Sequence, residues 1–193
     1  MIDFPVFSIA DIRTVYPDFD RRRVYEWQIK NYILKVSKGL YIFSDVPLNE
    51  TMLFQIANKL YRPSYISLET AMAYYQLIPE AVYGVTSVST RRTYKFNTEL
   101  ATFSYRTVSP HLFFGYSITP DLIKIATVEK TLLDYFYLNP DIDNQKAYES
   151  LRIDISALME QIDRGRLKYQ LDRFGSSALS KRITSFLNWM GNA

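Results

Sequence analysis

Arg21, Arg22 and Arg23 stand in a row at what reads as the start of a helix, and Lys30, Lys35 and Lys38 follow closely. Against these cations residues 21–38 hold one acid, Glu26. Guanidinium forks pair with phosphate oxygens bidentately, and ammonium groups act as point charges beside them. The whole chain carries a net charge of only +3, so the positive charge is concentrated locally on a near-neutral body. That distribution is the footprint of a polyanion site. Three arginines at a helix N-terminus also oppose the helix dipole, each by roughly 0.3–1 kcal/mol when exposed. Asp18 and Asp20 offset part of this. A phosphate that meets both the free amides and the arginines removes the conflict, and a broken local rule of this kind marks function.

Other residues able to do chemistry are weaker candidates. Glu129 and Asp134 lie five apart on one expected helix, so they point in different directions and do not form a carboxylate pair. Glu129 reads as a first-turn dipole partner, and Lys130 with Asp134 as a surface i,i+4 ion pair worth a few tenths of a kcal/mol. His111, the single histidine, follows Ser109-Pro110 in an expected loop and has no Cys or second His beside it for a metal. Arg91-Arg92 and the basic run 164–168 read as solvated faces that could extend a DNA path or meet a protein partner. The tyrosine clusters Tyr74-Tyr75 and Tyr135-Phe136-Tyr137 read as core. No glycine-rich phosphate loop occurs. No catalytic residue, metal or cofactor is expected.

The elements that must position the basic residues follow from capping and periodicity. Ser8 caps a short helix, with Asp11 in its first turn and Pro17 as its stop. Asp20 caps a second helix running to about Asn31, with Val24, Trp27, Gln28 and Asn31 on one face and Arg22, Glu26, Ile29 and Lys30 on the other. Ile33, Leu34 and Val36 suit one strand and Leu40 to Phe43 another, joined by a Lys38-Gly39 turn. Helix, turn, helix and β-hairpin in this order form a winged helix-turn-helix over residues 1–46. The second helix would enter the major groove, and the hairpin would reach neighbouring phosphates. The candidate DNA contacts are Arg21, Arg22, Arg23, Tyr25, Glu26, Lys30, Lys35 and Lys38, with Arg22, Tyr25, Glu26 and Lys30 placed to read bases. Ile29, on the same face, either touches a thymine methyl or marks a face assigned one position off.

Asp45-Val46-Pro47 reads as a boundary, and residues 47–193 as a mixed domain. Its expected parts are a helix from about Glu50 to Leu60, a helix capped by Ser67 and running to Pro79, and β-rich runs from Val82-Tyr83 to Thr127. Thr127 caps a helix with the apolar stripe Val128, Leu132, Leu133, Phe136 and Tyr137, and two or three amphipathic helices follow, broken at Gly175-Ser176-Ser177. The fold class is α+β with a C-terminal helical segment. Hydrophobic residues make up 48% and charged residues 22%, which supports a packed core and excludes global disorder. The chain has no cysteine, which excludes disulfides and thiolate zinc sites and suits a cytoplasmic setting. No signal peptide or membrane span is expected.

Beyond these readings, residues 7–44 resemble the N-terminal winged helix of the AbiEi family of antitoxin regulators, in which the helix pair ends in a phrase like G-x-I-x-x-x-x-x-G-x-Y. Here that phrase is Asn31-Tyr32-Ile33 followed by Lys38-Gly39-Leu40-Tyr41, with Asn31 where the family often has Gly. Ser64 to Ala71 resembles the family's Y-I-S helix start, Gln76-Leu77-Ile78-Pro79 its following turn, and Val85-Thr86-Ser87 its next strand. Ile125 to Asp134 resembles its phrase vA-x-x-E-K-A-L-l-D, with Thr131 where the family often has Ala. The matches cover about residues 5–140. The resemblance implies a DNA-binding antitoxin and autorepressor in a phage-defence setting. Such a protein binds an inverted repeat in double-stranded operator DNA, as a monomer or weak dimer acting cooperatively, and counters a nucleotidyltransferase-like toxin. The residues alone leave open a solitary winged-helix regulator that senses a ligand through its aromatic C-terminal domain.

Overall fold

The computed structural model describes residues 5–79 and 84–191; the expected strand start at Val82-Tyr83 lies outside them. The first unit is β1 (Val6–Ser8), α1 (Ile9–Val15), α2 (Arg22–Ile29), β2 (Ile33–Ser37) and β3 (Leu40–Phe43). Ser8 caps α1 through a full capping box. Its hydroxyl accepts from the Asp11 N–H, and the Asp11 carboxylate accepts from the Ser8 N–H at 2.7 Å. Helix α2 stops at Ile29, two residues short of the expected end, because Asn31 takes a left-handed conformation at φ 54°. Asn is the non-glycine residue best suited to a left-handed position. The hairpin turns at Lys38-Gly39, with Gly39 at φ 78°, after a bulge between Lys35 and Ser37.

Strand β1 pairs with β3, not with its chain neighbour, so the small antiparallel sheet has the order β1-β3-β2. The strand that leads into the two helices is thereby hydrogen-bonded to the second strand of the hairpin that follows them. Phe7, Val24, Ile33 and Tyr41 form a core between helices and sheet, with Ile12, Phe19, Trp27 and Phe43 packed around it.

The rest is mixed α+β. It comprises α3 (Glu50–Leu60), β4 (Ser64–Ile66), α4 (Leu68–Tyr74), β5 (Val85–Ser89), β6 (Tyr94–Asn97), β7 (Thr102–Thr107), β8 (Tyr116–Ile118), β9 (Lys124–Ala126) and α5 (Val128–Leu138). Four helices close the chain: α6 (Gln145–Ser150), α7 (Ile155–Gln161), α8 (Arg164–Phe174) and α9 (Ser177–Met190). The strands form one sheet in the order β6-β7-β5-β4-β9-β8, parallel at β4/β9 and β5/β7. Alternation along each strand supplies two faces. Ile66, Val85, Phe103, Tyr105 and Ile125 face α3, while Tyr65, Val88 and Ala126 face α4, α5 and the C-terminal helices. The α3 layer also includes Val6, Val36, Leu40 and Ile42 of the small sheet. The apolar core thus continues across the segment Asp45–Pro47.

Several sequence expectations need correction. The helix after Ser67 ends at Tyr74, well short of Pro79, because Gln76 turns left-handed at φ 57°. Ser67 sits at the N-cap, but its hydroxyl makes no cap bond and is spent elsewhere. Strand β4 was not expected, since three residues between Pro63 and a helix show no alternation to read. Part of the run 111–118 is a short 3-10 turn at Pro110–Leu112, not strand. The terminal segment holds four helices where two or three were expected.

Lys59 of α3 fastens the first unit to the second. Its ammonium donates to the Val6 carbonyl at 2.9 Å and pairs with Asp11 at 2.7 Å. Partial burial pushes the Asp11 carboxyl up, but the bonds from Lys59 and Ser8 outweigh it and leave the group below its ordinary value. A depressed carboxyl contributes stability that is complete above the unfolded value, about 3.9, and is lost as pH falls through the folded value. Asp11→Asn should therefore lower the urea midpoint at neutral pH. The two proteins should converge as pH is taken below the ordinary carboxylate range.

Candidate nucleic-acid interface

Val24 is 3% exposed, and Trp27 and Gln28 are half-buried. Trp27 packs on Phe19 with ring centroids 5.3 Å apart, and the Gln28 amide donates to the Val24 carbonyl at 3.1 Å. These three residues define the inward face of α2. At 100° per residue the opposite direction falls between Arg22 and Glu26, with Ile29 beside Arg22 and with Tyr25 and Lys30 towards the two edges. The face derived from sequence is therefore in register, except that Asn31, beyond the helix end, is exposed.

All eight candidate residues, Arg21, Arg22, Arg23, Tyr25, Glu26, Lys30, Lys35 and Lys38, are exposed. None of the six cations forms an ion pair among the described residues. Lys35 lies on the same face of the small sheet as Ile33, two residues before it, and Ile33 shares a core with Val24 of α2. The helix and Lys35 therefore belong to one side of the unit, with Lys38 at the hairpin tip.

One expectation about this surface changes. The first-turn amides of α2 are not free. The Arg22 N–H donates to the Asp20 carboxylate at 2.9 Å, and the Arg23 and Val24 N–H groups donate to the carbonyls of Asp20 and Arg21 at 3.1 Å. The N-cap of α2 is Arg21, not the expected Asp20, and it makes no side-chain cap bond; the Asp20 carboxylate, one position further out, takes the Arg22 amide and offsets the arginines. An anion at this surface would be held by side-chain guanidinium groups, not by the backbone.

Behind α2 lies a groove of about 750 Å³ between the two units, lined by Phe7, Ile12, Val15, Tyr16 and Trp27 on one side and by Lys59 and Leu122 on the other.

The second set of candidates behaves differently. Glu129, Lys130 and Asp134 are completely buried, so the expected surface ion pair is instead an internal one. The Lys130 ammonium pairs with one Asp134 oxygen, and the Tyr65 and Ser67 hydroxyls donate to the other at 2.8 and 2.9 Å. Lys130 also lies over the rings of Phe174, Phe114 and Tyr65 at 4.8, 5.1 and 5.5 Å. Gly115, at φ 73°, permits this approach, since a Cβ there would stand 3.0 Å from Lys130 Cγ. Glu129 points away, accepting from the Asp163 N–H at 2.8 Å and from Arg166 at 3.5 Å. It ties α5 to the start of α8 and is not simply a dipole partner.

Burial pushes Asp134 up and Lys130 down, against their mutual attraction, and burial likewise raises Tyr65. The sequence carried a signal for this centre that the stripe reading missed. Helix α5 is apolar nearly all round, and such a helix leaves no wet face for a charged pair.

His111 is exposed in the 3-10 turn. No group of three or more His, Asp or Glu among the described residues could hold a metal. Arg91 lies 4.2 Å over the Tyr61 ring, and Arg166 pairs with Glu129 and Asp163. Among the described residues no helix is long and apolar enough to cross a membrane. No protein-family model matches the chain, and no curated protein matches it.

Replacing Lys130 by Met leaves a buried carboxylate without its counter-charge, which costs about 3–5 kcal/mol at neutral pH. With the ammonium gone, burial keeps the folded carboxyl raised, so the folded state binds the proton more readily than the unfolded state. Stability then rises as pH falls. Urea unfolding of Lys130→Met should show that deficit at pH 7, and the gap to wild type should narrow towards about pH 5.

Proposed function

We propose that this chain is a DNA-binding transcriptional regulator whose first 46 residues act as a winged helix-turn-helix, with α2 in the major groove and the β2–β3 hairpin as the wing. The observation that carries the reading is the surface of α2 and the hairpin, where six cations, Arg22 among them, stand exposed and form no ion pair among the described residues, and where Arg22 and Glu26 are able to read base edges. Arginine matches the O6/N7 edge of guanine and a carboxylate accepts from cytosine N4. The β1–β3 pairing supports it too, because it holds helix and wing as one rigid reader.

We further propose that the protein is an antitoxin and autorepressor similar to the AbiEi family, acting against a nucleotidyltransferase-like toxin. The support is the resemblance, and three of its phrases meet in space. Tyr65 and Ser67 of the first bond to Asp134 of the last, and Thr86 of the strand phrase donates to the Ser67 carbonyl at 2.8 Å. Residues spread over the phrases therefore serve one centre, which gives a physical reason for their recurring together.

The DNA-binding half is tested by retention of a duplex taken from upstream of the chain's own coding sequence. The Arg21→Ala, Arg22→Ala, Arg23→Ala protein should lose retention at ~150 mM salt while keeping its thermal midpoint; with phosphate contacts from Arg21, Arg22, Arg23, Lys35 and Lys38 the salt slope is about −4.5, and each single replacement should reduce its magnitude by roughly 0.9. Undiminished binding by the folded triple variant would overturn the assignment. The antitoxin half is tested by co-expression with the product of a neighbouring nucleotidyltransferase-like gene, which should be toxic alone and harmless beside this chain.

A further inference from the structure

The centre of the exposed α2 face is not wholly polar. Ile29 is 64% exposed and lies beside Arg22 on that face, and Tyr25, 68% exposed, lies one turn before it. At a spacing of four residues the two side chains are neighbours on the helix surface. Neither belongs to the core that holds Val24, Ile33 and Tyr41. Tyr25 and Ile29 set an apolar pair among Arg22, Glu26 and Lys30, so a partner that meets this face must suit both the pair and the cations.

Charge selects the partner. A second copy of the chain would bring an identical ring of cations against this one, and like charges oppose that contact. Duplex DNA complements the ring. Within the major groove the apolar group offered by a base edge is the C5 methyl of thymine. We propose that Tyr25 and Ile29 form an apolar reading surface for thymine methyl groups, so that this regulator selects duplexes by their thymines as well as by the base edges that meet Arg22 and Glu26. The inference rests on the DNA-binding reading above. Four residues advance about 6 Å along the helix, on the order of two base-pair steps, so the two side chains serve separate thymines.

The test uses the full chain and duplexes it selects from a random library. The selected sequence is made twice, once with thymidine and once with deoxyuridine, which lacks only the methyl and leaves phosphates and hydrogen-bonding edges in place. Wild-type protein should bind the uridine duplex about fourfold more weakly for each methyl read, and on the order of tenfold more weakly for two. The Tyr25→Ala, Ile29→Ala protein should bind the thymidine duplex with that same deficit and show no further loss with uridine. Its salt slope and thermal midpoint should be unchanged, which separates methyl contact from phosphate contact and from misfolding. Equal wild-type affinity for both duplexes, or full discrimination by the double variant, would overturn the proposal and leave DNA binding intact. If the library yields no retained duplex, the DNA-binding reading falls and this proposal with it.

Discussion

The buried ion pair between Lys130 and Asp134 is the interaction on which the larger unit is organised. Neither group reaches solvent, so each must find all its partners inside the protein. Asp134 draws the hydroxyls of Tyr65 in β4 and of Ser67 at the start of α4, while Lys130 draws three aromatic rings from separate parts of the chain. The result is a point where the central sheet, α5 and α8 are held at one mutual geometry. Breaking it exposes a charge to a medium that cannot solvate it, whereas loss of one apolar contact leaves only a cavity. Glu129 extends the same logic outward by fixing the start of α8 through the Asp163 N–H.

The first unit handles charge in the opposite manner. Its six candidate cations stay in water and form no ion pair among the described residues, with the Asp20 carboxylate limiting their conflict with the helix dipole. This arrangement costs little in the free protein because exposed charges are well screened. It keeps the guanidinium and ammonium groups available. The inward residues Val24 and Trp27 supply the stability, and the outward residues are released from that duty. Lys59 joins the two regimes, binding Asp11 and the Val6 carbonyl from α3 while the apolar layer runs continuously from the small sheet to α3. The groove behind α2 lies along this joint, so its walls belong to both units.

Much of this was legible from the chain alone where a local signal sufficed. Ser8 and Thr127 are caps with side-chain bonds, and α3 spans Glu50–Leu60 as expected. The inward and outward faces of α2 follow from the spacing of Val24 and Trp27 alone. Strand β4 was not legible, because three residues give no period. The length of the helix after Ser67 was not legible either, because a left-handed Gln76 has no reliable sequence mark. The Lys130–Asp134 spacing read as a surface pair because i,i+4 geometry is identical on a wet face and in a core.

For the basic segment, then, the residues themselves determined the chemistry. Arg21 to Arg23, Lys30, Lys35 and Lys38 are cations wherever they lie, and helical period places Arg22 and Lys30 away from Val24. The tertiary structure decided which charges remain open and which are closed. Burial is a property of packing between distant segments, and only the folded chain brings Tyr65, Ser67 and Phe174 around Lys130 and Asp134. It also showed that Asp20 already occupies the amide at the start of α2, so that the arginine side chains, and not the helix terminus, are the groups left to meet an anion.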